Sequence, residues 1–139
     1  MKKILVTFIA LLFIITVKAQ LTDSGRNSND KVFVSVQQVP EYPGGLEKLY
    51  NFLETTLHYP PTSRENNTQG RVIVAMVVER DGSLSQVKVV RGIGDGCDEE
   101  AIRVIKLTSP WKPGMQNGLA VRVAYSLPVS FELKKKVIN

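Results

Sequence analysis

The sequence contains very few of the side chains on which enzyme and metal chemistry depends. Its 139 residues include one cysteine, Cys97, and one histidine, His58. A single cysteine excludes an internal disulfide, and a zinc site needs several cysteine or histidine ligands in paired spacing. A catalytic histidine needs a nucleophile or an orienting acid, and no such arrangement accompanies His58 in the sequence. We therefore expect no catalytic residue, no metal and no cofactor, and the protein is predicted not to be an enzyme.

The glycine-rich segment 92–96 lacks the spacing of a dinucleotide-binding loop. Gly92 and Gly94 fit the first two positions of that pattern, but its third glycine would fall at Cys97. Asp95 and Asp98 would also repel a phosphate at the start of the helix that follows. We interpret the segment as a loop. We expect Cys97 to be buried like a small apolar residue, with an intermolecular disulfide as the alternative.

The positive charge of the sequence lies largely at its two ends. The formal charge is +5, but without residues 1–19 the chain keeps 15 basic and 13 acidic residues, a charge of +2. Three of these lysines, Lys134, Lys135 and Lys136, belong to a basic tail over residues 134–139. The remaining domain is close to neutral, which argues against nucleic acid as a partner.

Residues 1–19 have the layout of a secretory signal peptide. A basic start precedes an apolar run over residues 4–17, and Val17 and Ala19 supply short side chains before Gln20. We predict cleavage between Ala19 and Gln20. The alternative is an uncleaved inner-membrane anchor, although a helix over this run reaches only about 21 Å, short of the roughly 30 Å of a hydrocarbon core.

Hydrophobic periodicity divides the mature chain into a lead-in and one domain. Residues 20–41 form a polar, flexible lead-in with a short strand expected within residues 31–39. In the domain, residues 42–133, we predict a helix over residues 46–57, strands over 71–80 and 84–91, a helix capped by Asp98, and a strand over 119–133. Asp81-Gly82 is a strong hairpin signal between the first two strands. This order predicts an α+β fold, a two-layer sandwich of a three-stranded antiparallel sheet with two helices packed on one face.

The last predicted strand is the most informative segment. From Leu119 to Leu133, apolar residues alternate almost perfectly with polar or small ones, so one face of the strand is expected to be buried. Pro128 has no backbone N–H, which places its segment on a sheet edge. A long strand with a partly open edge can accept a strand from another chain, and this favours a binding module.

Several short motifs occur in one order along the domain. They are Tyr59-Pro60, Gln69-Gly70-Arg71-Val72, Val78-Glu79-Arg80-Asp81-Gly82-Ser83, Asp98-Glu99-Glu100-Ala101, Trp111-Lys112-Pro113-Gly114 and the alternating run 121–131. Over residues 42–133 this set resembles the TonB C-terminal domain family, in the form where Pro43-Gly44-Gly45 precedes the first helix.

The resemblance implies a periplasmic module of a Gram-negative cell envelope. It would bind the TonB box of outer-membrane TonB-dependent receptors as an added strand, in the energy-coupled import of siderophores, vitamins or glycans. An inner-membrane motor of the ExbB/ExbD type would be a partner if the N-terminal segment is retained. Arg122 and its polar neighbours would tune specificity. The accepting edge would comprise Leu119, Ala120, Val121, Arg122, Val123, Ala124, Tyr125, Ser126 and Leu127.

The chain departs from full energy transducers of that family in its short spacer. Residues 20–30 stretch to at most about 37 Å, too little to bridge an envelope, so we expect binding rather than direct transduction by this chain alone. The alternative is a stand-alone interaction or assembly module. Its last strand would pair with a second copy, as a homodimer, or be covered by residues 31–39. A small hydrolase whose activity depends on His58 is a third reading.

Overall fold

The computed structural model of this protein describes residues 30–135. The predicted signal peptide, its cleavage point between Ala19 and Gln20, and residues 136–139 of the basic tail lie outside this range. Within it, no helix combines the length and the hydrophobicity needed to cross a membrane.

Eight elements follow one another along the described chain. In order they are β1 (Val32–Phe33), α1 (Gly45–Thr56), α2 (Pro61–Glu65), β2 (Gly70–Val78), β3 (Leu84–Arg91), α3 (Cys97–Lys106), β4 (Gly114–Gln116) and β5 (Leu119–Phe131). The predicted helices and long strands are all present. Proline begins α2, at the position where its missing N–H costs nothing.

The sheet has the order β1-β5-β2-β3, and β4 pairs with the start of β5. The pairs β2–β3, β2–β5 and β4–β5 are antiparallel, whereas β1 runs parallel to β5. The α+β class is therefore confirmed, but the prediction of a three-stranded antiparallel sheet with two helices is wrong. Within residues 30–135 the sheet is mixed and has five strands, and there are three helices. Of the two additional strands, β1 lies in the region 31–39 where a short strand was expected but was not counted in the sheet, and the three-residue β4 is too short to show a period in the sequence.

One hydrophobic core lies between the helices and one face of the sheet. In β2 and β5, every second residue points into it, as the period of two requires. Its buried members include Leu49, Leu53, Val72, Val74, Met76, Val78, Ala101, Val104, Ile105, Leu127, Val129 and Phe131. On α1 only part of the apolar stripe is buried: Leu49 and Leu53 lie in the core, whereas Leu46 and Tyr50 are 55% and 46% exposed.

Asp98 does not cap α3, contrary to the prediction. The residue before the helix is Gly96, in a left-handed conformation with φ of 85°. Asp98 lies inside the first turn, and its Oδ1 accepts the backbone N–H groups of Ile93 and Gly94. The carboxylate therefore holds the preceding loop against the helix.

An aromatic cluster fixes the start of β4 and β5 against the β2–β3 hairpin. The ring of Trp111 makes edge contacts with Tyr42 and Tyr125 at 5.9 and 5.3 Å between centroids. Its backbone N–H donates to the carbonyl of Gly82 at 2.8 Å. Gly82 has φ of +84°, and a Cβ there would lie 1.9 Å from the carbonyl oxygen of Trp111, so only glycine fits. This contact holds the segment before β4 against the turn between β2 and β3.

Candidate functional site

The two edges of β5 are occupied to different extents. On one edge, β2 pairs with β5 without interruption from Gly70 opposite Phe131 to Val78 opposite Val123. On the other edge, β1 lies beside Arg122 and Val123. Within residues 30–135, no strand pairs with residues 124–131 on the edge opposite β2. More than half of this 13-residue strand therefore has one open edge.

The nine residues predicted to accept a partner strand are divided by this arrangement. Leu119, Ala120 and Val121 pair with β4, opposite Gln116, Met115 and Gly114 respectively, on the same edge of β5 as β2. Arg122 and Val123 pair with β1. The remaining four, from Ala124 to Leu127, lie on the open edge, which continues beyond them to Phe131. That these residues bind a receptor segment stays a prediction.

Pro128 reveals which backbone groups face the open edge. It lies opposite Ile73 in a register without shifts, and because it has no N–H it cannot donate to β2. Its backbone groups therefore point away from β2. Since successive residues of a strand point their N–H and C=O groups to opposite edges, those of Ser126 and Ser130 also face the open edge, as does the carbonyl of Ala124. There Pro128 offers a carbonyl only. The N–H of Ala124 faces the end of β1, because Phe33 pairs with Val123.

The side chains of β5 leave this edge accessible. Val123, Leu127 and Phe131 are buried in the core and anchor the strand. The alternate residues Ala124 and Ser126 are exposed and small. Small exposed side chains do not shield the backbone as long charged ones do, so the edge is open to another extended chain.

Arg122 lies where the covered part of the edge meets the open part. Its Nε and Nη2 donate to the two carboxylate oxygens of Glu79 at 2.7 and 3.1 Å, a two-point contact between largely covered side chains. Its Nη1 donates to the backbone carbonyl of Asp30 at 2.8 Å. The hydrogen bond from Arg122 lowers the pKa of Glu79, and Ser85 adds to the effect. Arg122 thus ties the chain before β1 to the end of β2.

The candidate reactive side chains are packed as structural groups. Cys97 is fully buried, as predicted, with its Sγ 3.0 Å from Ser63 Oγ, and burial raises the pKa of the thiol. His58 lies beside α3, where its backbone N–H donates to Glu100 and its Nδ1 is 3.5 Å from Arg103 Nη2. In the described part of the chain, no group of three or more histidine, cysteine or acidic side chains could hold a metal ion.

Sequence reasoning did not identify β4. Cover of the last strand by residues 31–39 was one alternative, and β1 provides it at Arg122 and Val123, but the parallel direction of this pairing was not predicted. The alternation of Val32, Val34 and Val36 indicated a strand in this region, but it contained no information on the partner. Asp30 was not recognised either, because it contributes only a backbone carbonyl to Arg122, and any residue could do so.

Comparison with known proteins relates residues 55–133 to one family. They match the sequence profile described as Gram-negative bacterial TonB protein C-terminal. Protein TonB of Haemophilus influenzae is 30% identical over 110 residues, which cover 76% of this chain and 41% of that protein. The chain therefore spans less than half the length of this relative.

Two solution structures share the fold. Both are of Helicobacter pylori TonB-CTD, determined by NMR, with 22% sequence identity and a TM-score of 0.50. The matches cover 68% and 65% of this chain, and 91% and 95% of the two domains. At this identity the likeness concerns the fold alone.

Proposed function

Because this chain belongs to the TonB C-terminal domain family, we propose that it binds an extended segment of an outer-membrane receptor by strand addition. The segment is the TonB box of a TonB-dependent receptor, and the binding serves energy-coupled import of siderophores, vitamins or glycans. The protein acts in the periplasm of a Gram-negative envelope after its signal peptide is removed. If the N-terminal segment is retained instead, an inner-membrane motor of the ExbB/ExbD type becomes a second partner.

The observation that carries this proposal is the open edge of β5. Over residues 124–130 it presents the carbonyls of Ala124 and Pro128 and the N–H and C=O groups of Ser126 and Ser130, while the N–H of Ala124 is directed at Phe33 of β1. Seven residues of strand span about 20 Å, enough for a short extended peptide. The core beneath β5 is fully packed, so the edge is preformed and binding requires no ordering of the acceptor.

The chemistry of the edge predicts where affinity and specificity arise. Ala124 and Ser126 are small and uncharged, so they offer a partner's side chains few contacts, and main-chain hydrogen bonds supply most of the affinity. Arg122 is the charged group at the edge, and its contact with the Asp30 carbonyl is exposed. A partner strand that extends towards Arg122 can offer its own carbonyl to this guanidinium.

A titration followed by NMR tests the proposal. The 15N-labelled mature chain, residues 20–139, would be titrated with a synthetic peptide copying the N-terminal TonB box of a receptor from the same organism. We expect the amide signals of Ala124, Ser126 and Ser130 to shift together and to saturate. A scrambled peptide of the same composition is the control. Shifts confined to α1 and α2, or no shifts at all, would refute strand addition at β5.

The partial cover of β5 by β1 favours a second candidate function. In this alternative the chain is a stand-alone assembly module whose last strand is covered internally by residues 31–39 or pairs along its open part with a second copy, and no receptor is involved. Sedimentation velocity separates the two candidates. A dimer that forms with rising protein concentration and persists in saturating receptor peptide would favour assembly, whereas a monomer that binds the peptide would exclude it.

A further inference from the structure

The short strand β1 occupies part of the edge on which the proposed receptor segment would bind. It pairs Val32 with Arg122 and Phe33 with Val123, and it ends where the open edge begins. Both strands run in the same direction. β1 is therefore itself a strand of this chain added to the edge of β5, and it shortens the edge available to any other strand.

The contacts that hold β1 are few and lie near the surface. Val32 and Phe33 are only half-buried, and the next residue, Val34, is 87% exposed. The ring of Phe33 contacts the Nζ of its neighbour Lys31 at 4.7 Å from the centroid. This cation–π contact lies within the segment itself, so it does not fasten β1 to the core. Detaching β1 exposes little apolar surface.

The backbone bonds of β1 follow from the direction of the groups on β5. The even-numbered residues of β5 face this edge, so the N–H and C=O groups of Arg122 point to β1. In a parallel pair they bond to the residues on either side of Val32, which makes the Phe33 N–H the donor to the Arg122 carbonyl. Because Phe33 pairs with Val123, its carbonyl accepts the N–H of Ala124. The N–H of Val32 points away from β5.

The side chain of Arg122 adds one more hydrogen bond to the segment that contains β1. Its Nη1 donates to the carbonyl of Asp30, two residues before Val32, while its Nε and Nη2 stay on Glu79. A carbonyl from another extended chain would satisfy Nη1 equally well. Arg122 could therefore exchange β1 for an incoming strand without leaving Glu79 and without losing a hydrogen bond.

We propose that residues 30–34 are an intramolecular competitor, displaced from Arg122 and Val123 when a receptor strand takes the whole edge from Arg122 to Ser130. This rests on the proposed function, whose binding site it regulates. Only the fraction of molecules in which β1 is detached offers the full edge, so the apparent affinity for a long strand is reduced by that fraction. Three exposed main-chain bonds and the hydrogen bond from Arg122 Nη1 hold β1, and after the cost of ordering residues 30–34 they correspond to a reduction of about tenfold.

The test compares two proline variants of β1 with the wild-type mature chain. Phe33→Pro removes the N–H that faces Arg122, whereas Val32→Pro, the matched control, removes an N–H that faces solvent. Peptide affinity would be measured by calorimetry with the TonB box peptide used above. We expect Phe33→Pro to bind the peptide about tenfold more tightly, and Val32→Pro to remain within about twofold of wild type.

A measurement on the wild-type chain makes the test independent of both variants. At saturation with peptide, the amides of Val32 and Phe33 should move to the shifts of an unstructured chain and exchange rapidly with solvent. If they keep their shifts and protection while Ala124 and Ser126 respond to the peptide, β1 is not displaced. In that case this inference fails and the proposed function stands.

The other outcomes are equally distinct. Equal affinity in wild type and Phe33→Pro, with peptide shifts at Ala124 and Ser126 in both, refutes the competition alone. The absence of any peptide response in wild type and in both variants refutes the proposed function and, with it, the inference that rests on it.

Discussion

Replacing Ser126 with proline removes the central outward-facing N–H of the open edge. Ser126 lies opposite Ala75, two residues before Pro128, and by the alternation of the strand its N–H points away from β2. No bond between β5 and β2 is therefore lost. The strand already accommodates proline at the equivalent position 128, so we expect Ser126→Pro to change the free energy of unfolding by less than about 1 kcal/mol.

The effect on binding should be much larger than the effect on stability. One main-chain hydrogen bond contributes about 1 kcal/mol, and the proline ring also holds a partner strand away from its neighbours. We therefore expect receptor-peptide affinity to fall at least about tenfold, measured by calorimetry on the mature chain. Ser126→Ala is the matched control, because it removes the hydroxyl and keeps the N–H. It should bind like wild type.

A second proline variant checks the orientation on which this reasoning depends. Tyr125 lies opposite Met76 with its N–H directed at β2, so Tyr125→Pro removes a ladder bond and also the ring that packs on Trp111. Together these losses should cost about 3 kcal/mol or more in urea unfolding. If Ser126→Pro destabilises the fold as much as Tyr125→Pro, the assignment of the outward-facing groups is wrong. If Ser126→Pro is stable and binds the peptide like wild type, β5 is not the binding edge.

Three further predictions concern the scaffold around this edge. Gly82→Ala should lower the free energy of unfolding by more than about 2 kcal/mol in a thermal unfolding assay, because φ is +84° and the new Cβ would lie 1.9 Å from the carbonyl oxygen of Trp111. The control Gly118→Ala also has a positive φ, +75°, but open space around the new Cβ, so it should cost only about 1 kcal/mol in the same assay. Glu79→Gln should lower the urea midpoint most at neutral pH. Since the hydrogen bond from Arg122 lowers the pKa of Glu79 below 4.5, this stabilisation is present above pH 4.5 and is lost as the pH falls through the lower folded-state value. If the difference in urea midpoint between Glu79→Gln and wild type grew as the pH was lowered, the contact between Glu79 and Arg122 would be contradicted. The buried thiol of Cys97 should react with a thiol reagent only after denaturant is added, and prompt labelling of the native protein would disprove its burial.

The long elements could be predicted because their signals are local. The alternation along β5, the Asp81-Gly82 hairpin and the apolar stripe of α3 each lie within 15 consecutive residues. A period of two or of 3.6 over such a length specifies both the element and its buried face. Pro128 similarly indicated a sheet edge before any partner strand was known, because the missing N–H is a property of the residue itself.

Other features could not be predicted because their causes are distant in sequence. The pairing of Val32 with Arg122 joins residues at opposite ends of the domain, and a two-residue strand has no period that could reveal it. The exposure of Leu46 and Tyr50 depends on how far α3 and the sheet extend beneath α1, although both residues fit the apolar stripe. Asp98 was assigned as a cap because the loop that it binds could not be placed from the sequence.

The sequence by itself therefore determined that the chain ends in a one-faced edge strand and that its motifs resemble one family, because periodicity and proline chemistry act locally. Only the tertiary structure decided which part of that strand is open. On the edge opposite β2, the cover over Arg122 and Val123 comes from β1, whose parallel pairing joins residues 90 positions apart in the sequence. A pairing between such distant residues depends on the packing of the whole domain, and no local sequence pattern predicts it.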